Sequence, residues 1–326
     1  MERKFNWCFI GTGKLAKKVA KQLIATKRHD VVSCFTRNFE KGQLFASKLP
    51  NCKAYEKVID AINDPNVDGV YIVTPHNAHF RYARIALINK KPVFVEKPFT
   101  VTFEEANELV NLSKESDTYL AEAMWTWYGS TGYNMKNAIF NDNAIGEIKS
   151  ADLAFRVKSY NPNTRIGDPK RAGGALLDLG VYPITYAYRL FGLPEKIEAN
   201  AKIENGCDLR DEIKFIYKDG FIANITCSVI DSFKERVTVV GTEGKVTCGF
   251  FIGRNGFKLK KGLKTKTIKE KGPMMFNYTR EFDITVDEIR KGNKESSKVT
   301  LNDTLVVMKL MDQIREIIGL KYENLE

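Results

Sequence analysis

The residues best suited to chemistry fall in a few short stretches. Gly11-Thr12-Gly13-Lys14-Leu15-Ala16 closes one apolar run and opens a helical one. This is a GxGxxA pattern. Gly11 allows a tight turn, Gly13 lets a pyrophosphate approach the backbone, and Ala16 replaces the third glycine at a helix–strand packing contact. Helix amides and the helix dipole then receive the anion, so Gly11 to Leu15 are assigned to a dinucleotide. Arg37 follows Gly13 by 24 residues and is preceded by Thr36. An NAD-specific site carries an acid there for the ribose 2′-hydroxyl, whereas an arginine can pair with a 2′-phosphate. NADP is therefore expected over NAD, with Thr36 as a hydroxyl donor. Two more stretches, Thr74-Pro75-His76-Asn77-Ala78-His79 and Glu96-Lys97-Pro98, end apolar runs. Ligands of an open parallel sheet lie beyond the carboxyl ends of its strands, so Thr74, Pro75, His76, Asn77, His79, Glu96 and Lys97 join the cofactor site. His79 taken alone reads more readily as a hydrogen-bonded helix-start residue than as a catalyst. Lys97 follows Pro92-Val-Phe-Val95, which predicts an ammonium partly withdrawn from water.

The composition narrows the alternatives. With 43% hydrophobic and 28% charged residues, the 326-residue chain is an ordinary globular mix of about two domains. Three histidines and six scattered cysteines, no two at a metal-ligand spacing, argue against a metal site and against a disulfide framework. No apolar run nears the roughly 20 residues of a membrane span, and no secretory cleavage pattern follows the start, so a cytoplasmic protein is expected. The net charge of +11 is concentrated in 258–271, whose seven lysines and one glutamate carry +6 of it. Lysine roughly alternates there with small or apolar residues around Gly262, and no aromatic residue is interleaved for base stacking. A solvated hairpin is expected rather than a nucleic-acid surface.

These residues need elements to position them. Over 1–123, strand patterns (5–10, 31–35, 69–73, 92–95 and 119–123) alternate with helical ones (15–24, 40–48, 55–62, 78–88 and 102–116). Such alternation predicts a doubly wound parallel sheet, a Rossmann domain. Residues 124–326 change character. After a helix near 132–141, strands are predicted at 148–157, 196–204, 210–218, 221–230, 234–241 and 244–251, then the basic hairpin and a terminal helix at 302–319 capped by Asn302. This reads as an α+β domain with an open, largely antiparallel sheet, whose second face needs a cover.

In order and spacing, GTGKLA, TPHNAH, EKP and Gly173-Gly-Ala-Leu-Leu-Asp-Leu-Gly-Val-Tyr182 resemble the Gfo/Idh/MocA family of oxidoreductases over nearly the full length. Within it the chain is most similar to the dimeric dihydrodiol dehydrogenase and NADP-linked xylose dehydrogenase branch, which also carries a segment like Glu122-Ala-Met-Trp-Thr126. The resemblance implies that Lys97 lies beside the nicotinamide ribose, that the Lys97–Pro98 bond is cis, and that Asp178 and Tyr182 face the nicotinamide from the second domain. The residue types agree. Asp178 and Tyr182 are i,i+4 and share a face of a helix starting near Gly174. A phenol with an ordinary pKa near ~10 is a poor base at neutral pH, and a cation such as Lys97 beside it would correct that. Tyr182 is thus expected to move the hydroxyl proton, Lys97 to tune that transfer, and Asp178 to orient substrate or lysine. The branch often has Arg two residues after Trp125, where this chain has Trp127. Trp125 and Trp127 are expected to form an aromatic wall for a sugar-like ring. Arg165 and Asp168 are pocket candidates, or equally a surface ion pair.

The resulting expectation is an NADP-dependent oxidoreductase on a sugar, polyol or related cyclic alcohol. The same resemblance leaves two other readings open, a cofactor-binding regulator without turnover and an NAD-dependent glycoside hydrolase. A homodimer or homotetramer joined through the second domain's sheet is also implied.

Overall fold

The computed structural model describes residues 3–249, 256–270 and 278–322. Residues 250–251 of the predicted strand and Lys271 of the basic hairpin lie outside them. The chain divides into two units, Met1–Tyr128 with Asn277–Leu305, and Gly129–Phe276 with Val306–Glu326. The strand pattern alone predicts a boundary at 123/124 with everything beyond it in the second domain.

In the first unit, β1 (Phe5–Ile10), β2 (His29–Phe35), β3 (Lys53–Tyr55), β4 (Gly69–Ile72), β5 (Val93–Glu96) and β6 (Leu120–Ala123) form a parallel sheet in the order β3-β2-β1-β4-β5-β6. Helices α1 (Lys14–Ala25), α2 (Phe39–Ala46), α3 (Val58–Ile62), α4 (His79–Ile88) and α5 (Phe103–Glu115) connect the strands. Because β4 lies on the other side of β1 from β2, the loops after β1 and β4 part at a topological switch point, where doubly wound sheets bind ligands. Near-continuous burial of β1, β4, β5 and β6 explains why these strands read as unbroken apolar runs.

Two elements of this unit escaped the pattern. β3 ends on Tyr55, where the pattern predicts a helix to begin. Three residues beginning on an exposed lysine are too short to show a period of two. Helix α8 (Thr279–Arg290) was not predicted, because its apolar stripe is thin. Phe282 anchors it, with ring centroids 4.9–5.1 Å from Tyr71, Phe94 and Trp7. Arg28 adds ion pairs to Asp283 and Asp287 at 2.9 and 2.6 Å.

In the second unit, β7 (Ile148–Arg156), β8 (Lys196–Glu204), β9 (Cys207–Ile216), β10 (Ile222–Ser228), β11 (Lys234–Gly241), β12 (Lys245–Cys248), β13 (Gly256–Lys261) and β14 (Lys264–Lys269) form one sheet. Its order is β14-β13-β12-β11-β7-β10-β9-β8, antiparallel except for β7 beside β10. One face buries Leu153, Phe155, Ile213, Phe215, Ile225, Cys227, Val237 and Val239 beneath α7 (Val181–Phe191) and the turn before it. The other presents polar side chains such as Asp152, Glu212 and Lys214. The lysine-rich segment is the β13–β14 hairpin at one edge, turning at Gly262 with Leu263 fully exposed. Its last described residue, Glu270, accepts the amides of Ser130 and Thr131 at 2.7 and 3.0 Å, fixing the start of α6 (Thr131–Phe140). Helix α9 (Leu301–Ile317) begins a residue before the predicted cap Asn302. Thr300 does the capping instead, accepting the Asp303 amide at 3.1 Å. Gly319, at φ +68°, ends it as expected.

Candidate functional site

The first unit gathers the loops after β1, β2, β4 and β5. Gly11 has φ +109°, and a Cβ there would lie 2.5 Å from the Val73 carbonyl oxygen. The backbones after β1 and β4 therefore touch at the switch point, and only glycine permits it. The Gly11 amide also donates to the Phe35 carbonyl at the end of β2. Gly13 is different: its φ is −69°, and a Cβ would meet nothing within 4 Å. It opens the N-terminus of α1, which has no side-chain cap and no acid in its first turn. Bare amides facing open space suit a pyrophosphate.

The flanking residues fit the same ligand. Arg37 is exposed just past β2 and makes no ion pair among the described residues, and Thr36 is half-buried beside it. Asn38 is occupied otherwise, capping α2 through the Lys41 amide at 2.9 Å. The Thr74 hydroxyl is buried with no hydrogen-bond partner among the described residues, as expected of a group awaiting a ligand. His76 is buried in a turn of 3-10 helix, His76–Ala78, that precedes α4 and contains Asn77. His79 contacts the Pro98 carbonyl through Nδ1 at 2.9 Å and the Thr74 carbonyl through Nε2 at 3.0 Å. It ties the loop after β4 to the loop after β5.

Lys97 is half-buried and its bond to Pro98 is cis. Behind it, Glu96 accepts the Tyr71 hydroxyl, and its other oxygen faces the Lys97 amide at 3.3 Å. Burial raises the Glu96 carboxyl to about 7, against the pull of Tyr71 and of the Lys97 charge. Burial also lifts Glu122 to about 7, where its carboxylate accepts the Thr304 hydroxyl at 2.9 Å. Glu281 on α8, 1% exposed, is pushed well up by burial and by Glu96. No spacing in the sequence announced this set of buried acids.

Trp125 and Trp127 occupy a 3-10 turn after β6. Trp125 is half-exposed with its ring 6.0 Å from that of Tyr278, whereas Trp127 is only 1% exposed. Of the two, Trp125 presents the accessible ring.

In the second unit, Asp178 and Tyr182 sit where a helix begins, but its first turn is wider than predicted. Leu176–Gly180 is π-helical, with the Gly180 amide on the Ala175 carbonyl at 2.9 Å, and α7 follows directly. Such turns recur at functional positions. Gly173 and Gly174 are explained by crowding. A Cβ on Gly173 would lie 2.5 Å from the Arg165 carbonyl oxygen, and one on Gly174, at φ +120°, would lie 2.0 Å from Asp208 Oδ1. Asp178 is half-buried and pairs with Arg165 at 2.9 Å, so of the two readings of Arg165 and Asp168 the mutual ion pair does not form. Asp168 pairs with Arg171 at 3.1 Å. Tyr182 is 2% exposed, its ring 5.4 Å from that of Phe155.

Among the described residues, no group of three or more His, Cys, Asp or Glu could hold a metal ion, and no helix is long and apolar enough to cross a membrane.

Comparison with known proteins gives the family and the fold. The model of an oxidoreductase family with an NAD-binding Rossmann fold, GFO_IDH_MocA, fits residues 5–123, and that of the GFO/IDH/MocA C-terminal domain fits residues 135–247. The chain is 26% identical over 330 residues to a trans-1,2-dihydrobenzene-1,2-diol dehydrogenase of Danio rerio, covering 98% of both chains. It is 27% identical over 376 residues to a D-xylose 1-dehydrogenase (NADP(+)) of Hypocrea jecorina, covering 98% of this chain and 93% of the relative. A solved 3-ketoreductase from Actinomadura kijaniata shares the fold at TM-score 0.86 and 20% identity, over 97% of this chain and 98% of that one.

Proposed function

This chain belongs to the Gfo/Idh/MocA family of oxidoreductases, and on that premise we propose that it moves hydride between NADP and a sugar, polyol or related cyclic diol. That it is an NAD(P)-dependent oxidoreductase acting on CH–OH groups follows from the family and its dehydrogenase relatives. The observation that carries the proposal is the N-terminus of α1: uncapped, without an acid, and opened by Gly13 onto free space. Arg37, with no acid at the end of β2, supports NADP over NAD, and the relative from Hypocrea jecorina is named for NADP.

The bound nicotinamide would supply or accept the hydride. In the proposed mechanism the chain's residues handle everything else. The α1 amides and Thr74 would hold the phosphates and ribose, and Arg37 would pair with the 2′-phosphate. The Tyr182 phenol takes the substrate hydroxyl proton during oxidation and returns it during reduction. Lys97 is assigned to tune that transfer through its charge. Asp178, oriented by Arg165, accepts a hydrogen bond from a second substrate hydroxyl, and the Trp125 ring covers an apolar sugar face. As part of the same reading, the polar outer face of the eight-stranded sheet joins copies into a dimer or tetramer, which light scattering would detect.

The test is titration with NADP⁺ and NAD⁺, followed by a panel of aldoses, polyols and trans-dihydrodiols read by nicotinamide absorbance. Tighter NADP⁺ binding and turnover of at least one panel member are expected. Binding without turnover across the whole panel would reduce the protein to a cofactor-binding one.

A further inference from the structure

We infer that Asp208 and Asp211 hold a single proton between them, and that the resulting anion at Asp208 is the positioning group for Asp178 and Tyr182. The inference rests on the catalytic reading for its consequence, but the shared proton stands on geometry within the second unit alone.

Both aspartates lie on β9 and are fully buried. Three positions apart on a regular strand, they would face opposite sides. The register against β8 shifts between Lys202, opposite Arg210, and Ile203, opposite Asp208, leaving Leu209 as the extra residue of a bulge. Bulges re-aim side chains, and this one turns Asp208 to the buried side that Asp211 already faces.

Their four oxygens divide unequally. Asp208 Oδ2 accepts the Leu176 amide at 2.5 Å and the Ala175 amide at 2.8 Å, the latter shared with the Asp208 backbone carbonyl, at the helix start that carries Asp178 and Tyr182. Asp211 Oδ2 accepts the Cys227 thiol at 3.0 Å. Each Oδ1 is buried without a partner among the described residues. Two unpartnered acceptors on neighbouring acids are costly, and one proton between them satisfies both. Asp208, holding two amides, keeps the charge. Asp211, facing only a thiol, keeps the proton, and burial and the Asp208 charge push its carboxyl well up.

Among the described residues, no cation is paired with either aspartate. The Cys227 thiol is raised by burial and by both acids, and the Cys207 thiol by burial, Asp208 and Asp168. Tyr322, its hydroxyl buried, is raised in part by both aspartates. Arg315 is turned to Asp312 and to the Tyr322 ring, and Asp168 to Arg171. The pair therefore carries one negative charge, spent on the helix start, where an anion is favoured. Gly174 is what lets the Asp208 carboxylate come so close.

The experiment compares Asp211→Asn with Asp208→Asn. The amide at 211 donates where the shared proton was, so kcat and KM for D-xylose or trans-1,2-dihydrobenzene-1,2-diol, whichever is turned over, should stay within about twofold of the parent. Asp208→Asn removes the anion and sets an amide against two N–H donors. It should lower kcat/KM at least about tenfold while leaving the NADP⁺ dissociation constant unchanged. Equal impairment in the two variants, or full activity in Asp208→Asn, overturns the inference. A second readout needs neither turnover nor the Asp208 variant. A carboxyl raised on folding contributes stability that is lost as pH rises, so the thermal midpoint of Asp211→Asn should gain on the parent between about pH 5 and pH 8. A constant offset across that range also overturns it. Failure of the catalytic reading would show separately, as unchanged turnover in Tyr182→Phe with this pH-dependent gain intact.

Discussion

Gly11 and Gly13 are two residues apart in one motif, yet the structure predicts opposite consequences for the same added methyl. In Gly11→Ala the new Cβ would sit 2.5 Å from the Val73 oxygen and 2.8 Å from its carbon, at φ +109°. Backbone strain costs about 1–3 kcal/mol, and forcing the β1 and β4 ends apart costs about as much again. The melting midpoint of the first unit should fall by on the order of 10 °C. In Gly13→Ala the methyl meets no protein atom within 4 Å and φ is already −69°, so stability should hold within about 1 kcal/mol. The space it fills is where a phosphate would meet the α1 amides. Losing one charge-assisted hydrogen bond costs ~1.5–3 kcal/mol, so the NADP⁺ dissociation constant should rise about 10- to 150-fold. Calorimetry and fluorescence titration on the two variants separate the effects. Wild-type affinity in a well-folded Gly13→Ala would mean that the pyrophosphate does not rest on α1, and the cofactor assignment would fail.

Three other outcomes follow from particular side chains. Arg37→Asp should invert the cofactor preference, weakening NADP⁺ more than NAD⁺ by at least about tenfold, since a carboxylate repels the 2′-phosphate; an unchanged ratio of dissociation constants rejects the role of Arg37. Tyr182→Phe removes one hydroxyl from a ring that still packs on Phe155, so it should cut kcat by about 10²–10⁴-fold and leave cofactor affinity alone; comparable turnover rejects the acid–base assignment. The Glu96 carboxyl, raised from 4.5 to about 7, contributes stability that is full below its unfolded value and is lost as pH rises through about 7. Glu96→Gln should therefore flatten the fall in melting midpoint between about pH 5 and pH 8; an unaltered slope would mean that this group does not titrate there.

What could be read from the sequence follows a physical division. Residues that meet a ligand must have particular types at loop positions, and the types show without coordinates. Gly11, Gly13, Arg37, Thr74 and Lys97 were placed by strand ends, and their loops gather along one edge of the parallel sheet. Long strands with strict alternation, such as β8 and β11, were bounded correctly to the residue. The three-residue strand β3 and the helix α8 failed for the opposite reason. Each gains its stability from a neighbour, and the neighbour is not in the local pattern. Phe282 looks like any aromatic residue until Trp7, Tyr71 and Phe94 surround it.

The residues that hold the site residues were less legible still. Gly173 and Gly174 stand out as a motif, but the reason for Gly174 lies more than thirty residues away, in a bulge that turns Asp208 toward the helix start, while Gly173 is crowded by the Arg165 carbonyl. Arg165 was read against its sequence neighbour Asp168, and it reaches Asp178 instead. In each case a charged group serves the backbone or another charge, so its type says only that it is polar. Burial supplies the missing information. A carboxylate with no access to water must have donors around it, and finding them names its purpose. Asp208 answers with the two amides at the head of the helix, and Glu96 answers with Tyr71 and the Lys97 amide. Each unit thus sets a buried acid directly behind the backbone that presents its proposed catalytic side chain. On this argument, neutralising either acid should disturb catalysis before it disturbs cofactor binding, because the α1 amides that receive the phosphates depend on neither.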